Sequence, residues 1–327
     1  MNPTPTFKIR LVLLIVVAFP LLALLFIPNV PQGTRLWGES LNSGHAILFG
    51  IIAAMVLWTG KASSRFTSYA LPKQYLLVGV GIQILGILTE FIQPLFHRDC
   101  EAGDMIRDGV GLTAFLCTLA AYNQFLDGDK IELTRRTRNG LRTIAVLCLL
   151  GAFAPAGVWG LAYLYRGEQF PVLASYHSFL GRKFLLTPHA SLRPIEPPSD
   201  WIERRPQDCA ELSFFPAEFP GLTIEEVSPD WHEYDSLAFD LFSKLPAPIS
   251  LALRIDDHKH DYSFNDRYNL ELTVAPGLNH VVVPMTAIER GPRRRRINLS
   301  SMARILLFAV NPKDTFSLYL SPVELKQ

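Results

Sequence analysis

The chain has 327 residues, 49% of them hydrophobic and 19% charged, with a mean hydropathy of +0.20. That balance is too apolar for an ordinary soluble domain of this size. The formal net charge of +1 says nothing about partners, because the apolar runs divide the chain between two compartments.

Five apolar stretches read as membrane-spanning helices: residues 9–27, 41–58, 75–96, 105–122 and 143–163. Each approaches the roughly 20 residues that a helix needs to cross a hydrocarbon layer. Lys8 and Arg10 precede the first as in a secretory signal, but no A-x-A-like cleavage site follows, so the run reads as an uncleaved anchor. The second span carries Asn42 and His45 at its start, and the fourth carries Arg107 and Asp108. Basic residues gather in alternate connections: Lys8 and Arg10, then Lys61, Arg65 and Lys73, then Lys130, Arg135, Arg136 and Arg138. Short basic loops stay cytoplasmic, so the N-terminus is expected inside and everything after Tyr165 outside. Cys117 and Cys148 fall within spans, while Cys100 and Cys209 would share the oxidising side as free thiols or as a disulfide.

The chain divides accordingly into a four-helix membrane domain (1–125), a cytoplasmic loop with a fifth span (126–165), a linker (166–194) and a β-sandwich (195–327). The fold class is a membrane α-helical bundle plus an all-β domain, an antiparallel jelly roll.

A polar cluster interrupts the apolar pattern between the third and fourth spans. Glu90, Gln93 and His97 recur at helical spacing and share one face, as do Asp104, Asp108 and Gly111. With His45 they lie at one membrane depth, the outer end of their helices. Ionisable groups inside a span are costly and face partners or a water-filled cavity. Three readings are open. The cluster is a salt-bridged latch, or a pocket in which Arg98 clamps a phosphate or carboxylate and Glu90 or His45 moves a proton, or a metal site of His45, Glu90, Asp104 and Asp108.

His45 in "GHAILFG", the "EFIQ" of Glu90 and Gln93, and Arg98 five residues before Asp104 with Gly111 beyond form a combination that resembles the VanZ-like membrane family. That family shows a His on the second helix, E-x-x-Q closing the third, and R-x5-D-x3-N-x2-G opening the fourth. Ala46 replaces the usual aromatic after the His, and Asp108 the usual Asn. The resemblance covers residues 10–125 and implies a bacterial cell-envelope protein, linked by name to glycopeptide resistance. It implies no particular reaction.

Beyond the proline-rich 187–201 the pattern changes to short alternating runs: "AELSFF", "LTIEEV", "SLAFDLF", "ISLALRI", "YNLELTV", "HVVVPM", "RILLFAV" and "FSLYLS". These read as strands of a sandwich separated by Pro, Gly, Asn and Asp turns. The motifs L-R-I-x-D, D-R-Y-N, P-G-x-N and Y-L-x-x-V-x-L within residues 200–325 resemble the galactose-binding-like jelly rolls grouped with carbohydrate-binding modules. Candidate ligand contacts are Trp231 and Tyr234, with Trp231 either stacking on a sugar or packed in the core or at an edge, and Asp256, Asp257, His258 and His260 in a "DDHKHD" loop that is either solvated or metal-binding. The run Arg293 to Arg296 is a charged loop or a contact for lipid phosphate or acidic glycan.

The expected function is an envelope membrane protein displaying a glycan-binding sandwich, with the polar cluster at the outer membrane face. The alternative is an enzyme or lipid-handling protein acting on a lipid-linked or phosphorylated precursor. The sequence leaves any cofactor open, and no glycine-rich phosphate loop, G-x-S-x-G elbow or nucleic-acid-binding feature is present.

Overall fold

The computed structural model describes residues 4–26, 34–96, 102–122, 133–227 and 230–327. Two compact units divide at Trp159 and Gly160. The first is helical: α1 (Pro5–Leu24), α2 (Arg35–Gly60), a single turn α3 (Ser64–Thr67), α4 (Leu71–Ile92), α5 (Ala102–Ala121) and the first part of α6 (Arg135–Gln169). Thr4 and Thr34 start α1 and α2 by accepting the Phe7 and Trp37 backbone N–H groups at 3.3 and 3.2 Å. Pro94, which lacks an N–H, ends α4, and the chain tightens into a 3-10 turn at Gln93–Phe96.

Four of these helices, α1, α2, α4 with its 3-10 turn, and α6, are long and apolar enough to cross a membrane. The expected span at 105–122 is also a helix of 20 residues, α5, but Asp104, Arg107 and Asp108 keep it outside that group. Among the described residues composition therefore supports four spans where five were expected. α5 buries its polar side against neighbouring helices and needs a less apolar sequence than a helix facing lipid on several sides. The unit is apolar inside and out. Leu48, Phe49, Ile52 and Leu57 of α2, Val78 and Ile82 of α4 and Leu112 of α5 form the core. Val12, Val16, Phe19, Leu76, Val80, Leu88 and Phe91 stand exposed, as lipid-facing side chains would.

The second unit is a β-sandwich. Its smaller sheet runs in the order β2 (Leu185–Leu186), β5 (Gly221–Glu225), β10 (Met302–Phe308), β7 (Ile249–Asp257), β8 (Tyr268–Val274). In the larger sheet β6 (Ser236–Ser243) pairs along one edge with β9 (Gly277–Pro284), and its other edge meets β12 (Val323–Lys326) and then β11 (Phe316–Leu320). β1 (Val172–Ala174) continues the sheet beyond β12, while β4 (Ala210–Phe214) and β3 (Ala190–Pro194) continue it beyond β11. All pairings are antiparallel. Between β11 and β12 the chain kinks at Ser321 and Pro322, where Ser321 exchanges hydrogen bonds of 2.8 and 3.0 Å with the Asp240 backbone.

The alternating runs became β4 to β11 because every second residue faces inward. Leu212, Ile224, Leu237, Leu241, Leu251, Leu253, Ile305 and Leu318 are all in one core. Residues 166–194, expected as a linker, instead hold β1, β2 and β3 and belong to the two sheets. Short edge strands ending in proline carry too few alternations to stand out. The proline-rich coil that follows lays Trp201 across the outer side of the larger sheet, stacked on Phe242 at 5.5 Å. Cys209, in the same small cluster, is a buried free thiol pushed up to about 12 by burial and by Asp208. Cys100 lies outside the described residues.

Candidate functional site

The helical unit buries a group of polar and ionisable side chains from several helices. His45 comes from α2, Glu90 from α4, Gln93 from the 3-10 turn, and Asp104 and Asp108 from α5. All five are at most 4% exposed. His97 and Arg98 lie outside the described residues, and the expected clamp by Arg98 lies outside them too.

Two close helix approaches assemble the cluster. A Cβ on Gly111 would lie 2.4 Å from Ala46 Cα, which draws α5 against α2 beside His45. A Cβ on Gly86 would lie 2.9 Å from Asp108 Oδ2, which seats Asp108 against α4. Nδ1 of His45 then stands 3.6 Å from Asp108 Oδ1, within ion-pair range but longer than a hydrogen bond. One ligand atom each from His45, Glu90 and Asp104 lies within 4.8 Å of the other two. Arg107, one helical turn after Asp104, donates to Asp104 Oδ1 at 2.5 Å and to Glu39 Oε2 at 2.9 Å. Arg107 and Glu39 were missed as a pair, because they meet across α2 and α5 with 68 positions between them.

Several polar atoms here have no hydrogen-bond partner among the described residues: Nδ1 of His45, both amide atoms of Gln93 and both carboxylate oxygens of Asp108. A latch built for stability pairs such atoms, since each one left buried and unpaired costs about 1–3 kcal/mol. The Asp104–Arg107–Glu39 chain meets that description. Asp108, Gln93 and His45 do not.

The sandwich treats its candidates differently. Trp231 is fully buried, with its backbone N–H bonded to Leu299 O at 2.9 Å, and offers no open ring face to a sugar. Tyr234 is half-buried edge-on to Phe170. Asp256 and Asp257 are 1% exposed at the end of β7 and are not a solvated loop. Arg254 grips Asp256 with bonds of 2.8 and 2.7 Å, and Arg304 of β10 adds a third at 2.7 Å. Asp257 takes a fork from Arg295 at 2.6 and 2.7 Å and the Asn298 N–H at 2.9 Å. Burial works to raise its carboxyl, but these donors outweigh it and hold Asp257 below the usual range. Arg295 also binds Asp266, whose carboxyl is lowered chiefly by that guanidinium. The four-arginine run is therefore divided: Arg295 is a structural clamp, and Arg296 pairs with Glu289 at 3.1 Å. His258 is exposed, and His260 bonds Arg254 and the Asp266 carbonyl at 2.9 and 3.0 Å. His260, Asp261 and Asp266 approach closely enough for a cation, but Arg295 already occupies Asp266.

No family model matches the chain, and no curated protein does. Among solved structures the C-terminal β region resembles carbohydrate-binding modules. A family 11 module from Clostridium thermocellum, in complex with a β-1,3-1,4-mixed-linked tetrasaccharide, is 12% identical, with 47% of this chain and 94% of that one covered and a TM-score of 0.37. An exo-β-agarase is 15% identical over 47% of this chain and 24% of its own, at 0.38. The CBM22-1–GH10 modules of a Clostridium thermocellum xylanase in complex with xylohexaose are 8% identical over 44% and 26%, at 0.31. The description of the sandwich rests on its own strand pairings.

Proposed function

We propose that the chain is a multi-pass bacterial envelope membrane protein that holds a small polar or charged ligand in its helical unit and carries an extracytoplasmic β-sandwich for a cell-surface glycan. The observation behind the ligand site is the set of buried atoms on Asp108, His45 and Gln93 that have no hydrogen-bond partner among the described residues. Groups of this kind in a bundle with an apolar exterior face a ligand or a water-filled cavity. The VanZ-like combination of His45, Glu90, Gln93, Asp104 and Gly111 supports the envelope setting. The glycan reading rests on the strand-leading motifs of the sandwich, and its contacts lie elsewhere than Trp231, Asp256 and Asp257.

The extracytoplasmic placement follows from counting α5 as a fifth crossing and from the alternation of basic connections. A periplasm-active phosphatase fused behind Gln327 is expected to be active, and a fluorescent protein fused there dark. The reverse result would remove both the fifth crossing and the surface glycan.

The ligand site is tested by stability. Asp108→Asn keeps the shape and removes the charge, so it is expected to raise the Tm of the ligand-free, detergent-solubilised protein by a few degrees, the response of a site whose side chains serve binding over stability. A fall in Tm would mean that Asp108 belongs to a latch.

A further inference from the structure

The donor set of the helical cluster suits one kind of occupant. We propose that His45, Glu90 and Asp104 coordinate a divalent transition-metal cation of the zinc or manganese kind, with Asp108 beside it; the proposal rests on reading the cluster as a ligand site. Donors bound to one ion at about 2.0–2.2 Å stand at most about 4.4 Å apart. The three atoms here lie within 4.8 Å, so a few tenths of an ångström of side-chain adjustment closes the shell. An imidazole with two carboxylates suits Zn²⁺ or Mn²⁺, whereas Ca²⁺ and Mg²⁺ favour all-oxygen cages. Three protein donors also leave coordination positions open to water or a further ligand.

Two further features fit an ion. Asp104 is aimed by Arg107, which takes Oδ1 and leaves Oδ2 for the ion, and Glu39 steadies Arg107 in turn. Asp108, 1% exposed and with neither carboxylate oxygen hydrogen-bonded among the described residues, faces the same space. Beside a dication its charge is compensated, and one of its oxygens can accept from a metal-bound water. The second acid-and-histidine group, around His260, lacks this property because Arg295 has claimed Asp266.

The test uses full-length protein in detergent, stripped with chelator and titrated separately with Zn²⁺, Mn²⁺ and Mg²⁺ by calorimetry, with bound metal counted by mass spectrometry. About one equivalent of Zn²⁺ or Mn²⁺ is expected, with Mg²⁺ far weaker. Glu90→Gln and Asp104→Asn are each expected to weaken binding at least tenfold, while His260→Ala leaves it unchanged. A cation-induced rise in the Tm of the wild-type protein provides a readout that depends on no variant. Folded wild-type protein that takes up neither ion, or uptake equal in wild type and both carboxylate variants, would overturn the metal. Should the metal fail while Asp108→Asn still raises Tm, the ligand site stands and its occupant is organic; should Asp108→Asn lower Tm as well, both fall.

Discussion

Replacing Arg295 by alanine is expected to destabilise the C-terminal unit by about 3–5 kcal/mol at neutral pH, the cost of leaving one partner of a buried ion pair alone. The side chain of Asp257 is fully buried, and Arg295 and Asn298 give it three hydrogen bonds, two from the guanidinium and one from the Asn298 N–H. Without the guanidinium the carboxylate keeps the Asn298 N–H but loses its counter-charge. Urea unfolding of the unit from Gly160 onward, followed by the fluorescence of fully buried Trp201 and Trp231, measures the loss. The pH dependence gives an independent check. In the wild type Asp257 and Asp266 are lowered, so their contribution is complete above an unfolded value of about 3.9 and is lost as pH falls through the folded values. In Arg295→Ala burial dominates Asp257 and raises it, so that protonation relieves the variant. The two stabilities should therefore converge below about pH 4. A constant gap across pH, or a loss under about 1 kcal/mol, would show that the clamp contributes packing alone.

Gly111→Val is expected to abolish accumulation of the folded helical unit. The added Cβ would meet Ala46 Cα at 2.4 Å, and backbone cannot rotate aside as a side chain can. Moving α5 away from α2 would also separate Asp108 from His45, because Gly111 lies one turn after Asp108 and Ala46 follows His45. Gly44→Ala is the control. Its Cβ meets nothing within 4 Å, and alanine is the better helix former by about 1 kcal/mol. Detergent-solubilised Gly44→Ala should run as a single species by size exclusion while Gly111→Val is lost or aggregates. Equal behaviour would mean that the tight crossing of α2 and α5 does not hold the bundle together.

What the sequence revealed followed from periodicity. Glu90 with Gln93, and Asp104 with Asp108, are spaced to share helix faces, and α4 and α5 bring those faces together with His45. The alternating runs of the sandwich were legible for the same reason. What stayed hidden depended on register between distant strands. "DDHKHD" reads as a wet loop until Arg304 is found opposite Asp256 on β10. A local hint existed, since Arg254 and Asp256 are two apart in a strand and share a face. Trp231 stayed open between a sugar contact and the core because nothing local distinguishes an exposed ring from a buried one. β1 and β2 escaped because two or three residues show no alternation until a partner fixes them, and β3 because its five residues lie in a proline-rich stretch and end at Pro194.

The placement of β12 orders events during synthesis. It lies between β6 and β1, so β1, the first strand to leave the ribosome, waits for the twelfth before its edge can be zipped. Until then both strands present bare edges, in whichever compartment the unit emerges. Sealing is thus a late, long-range event.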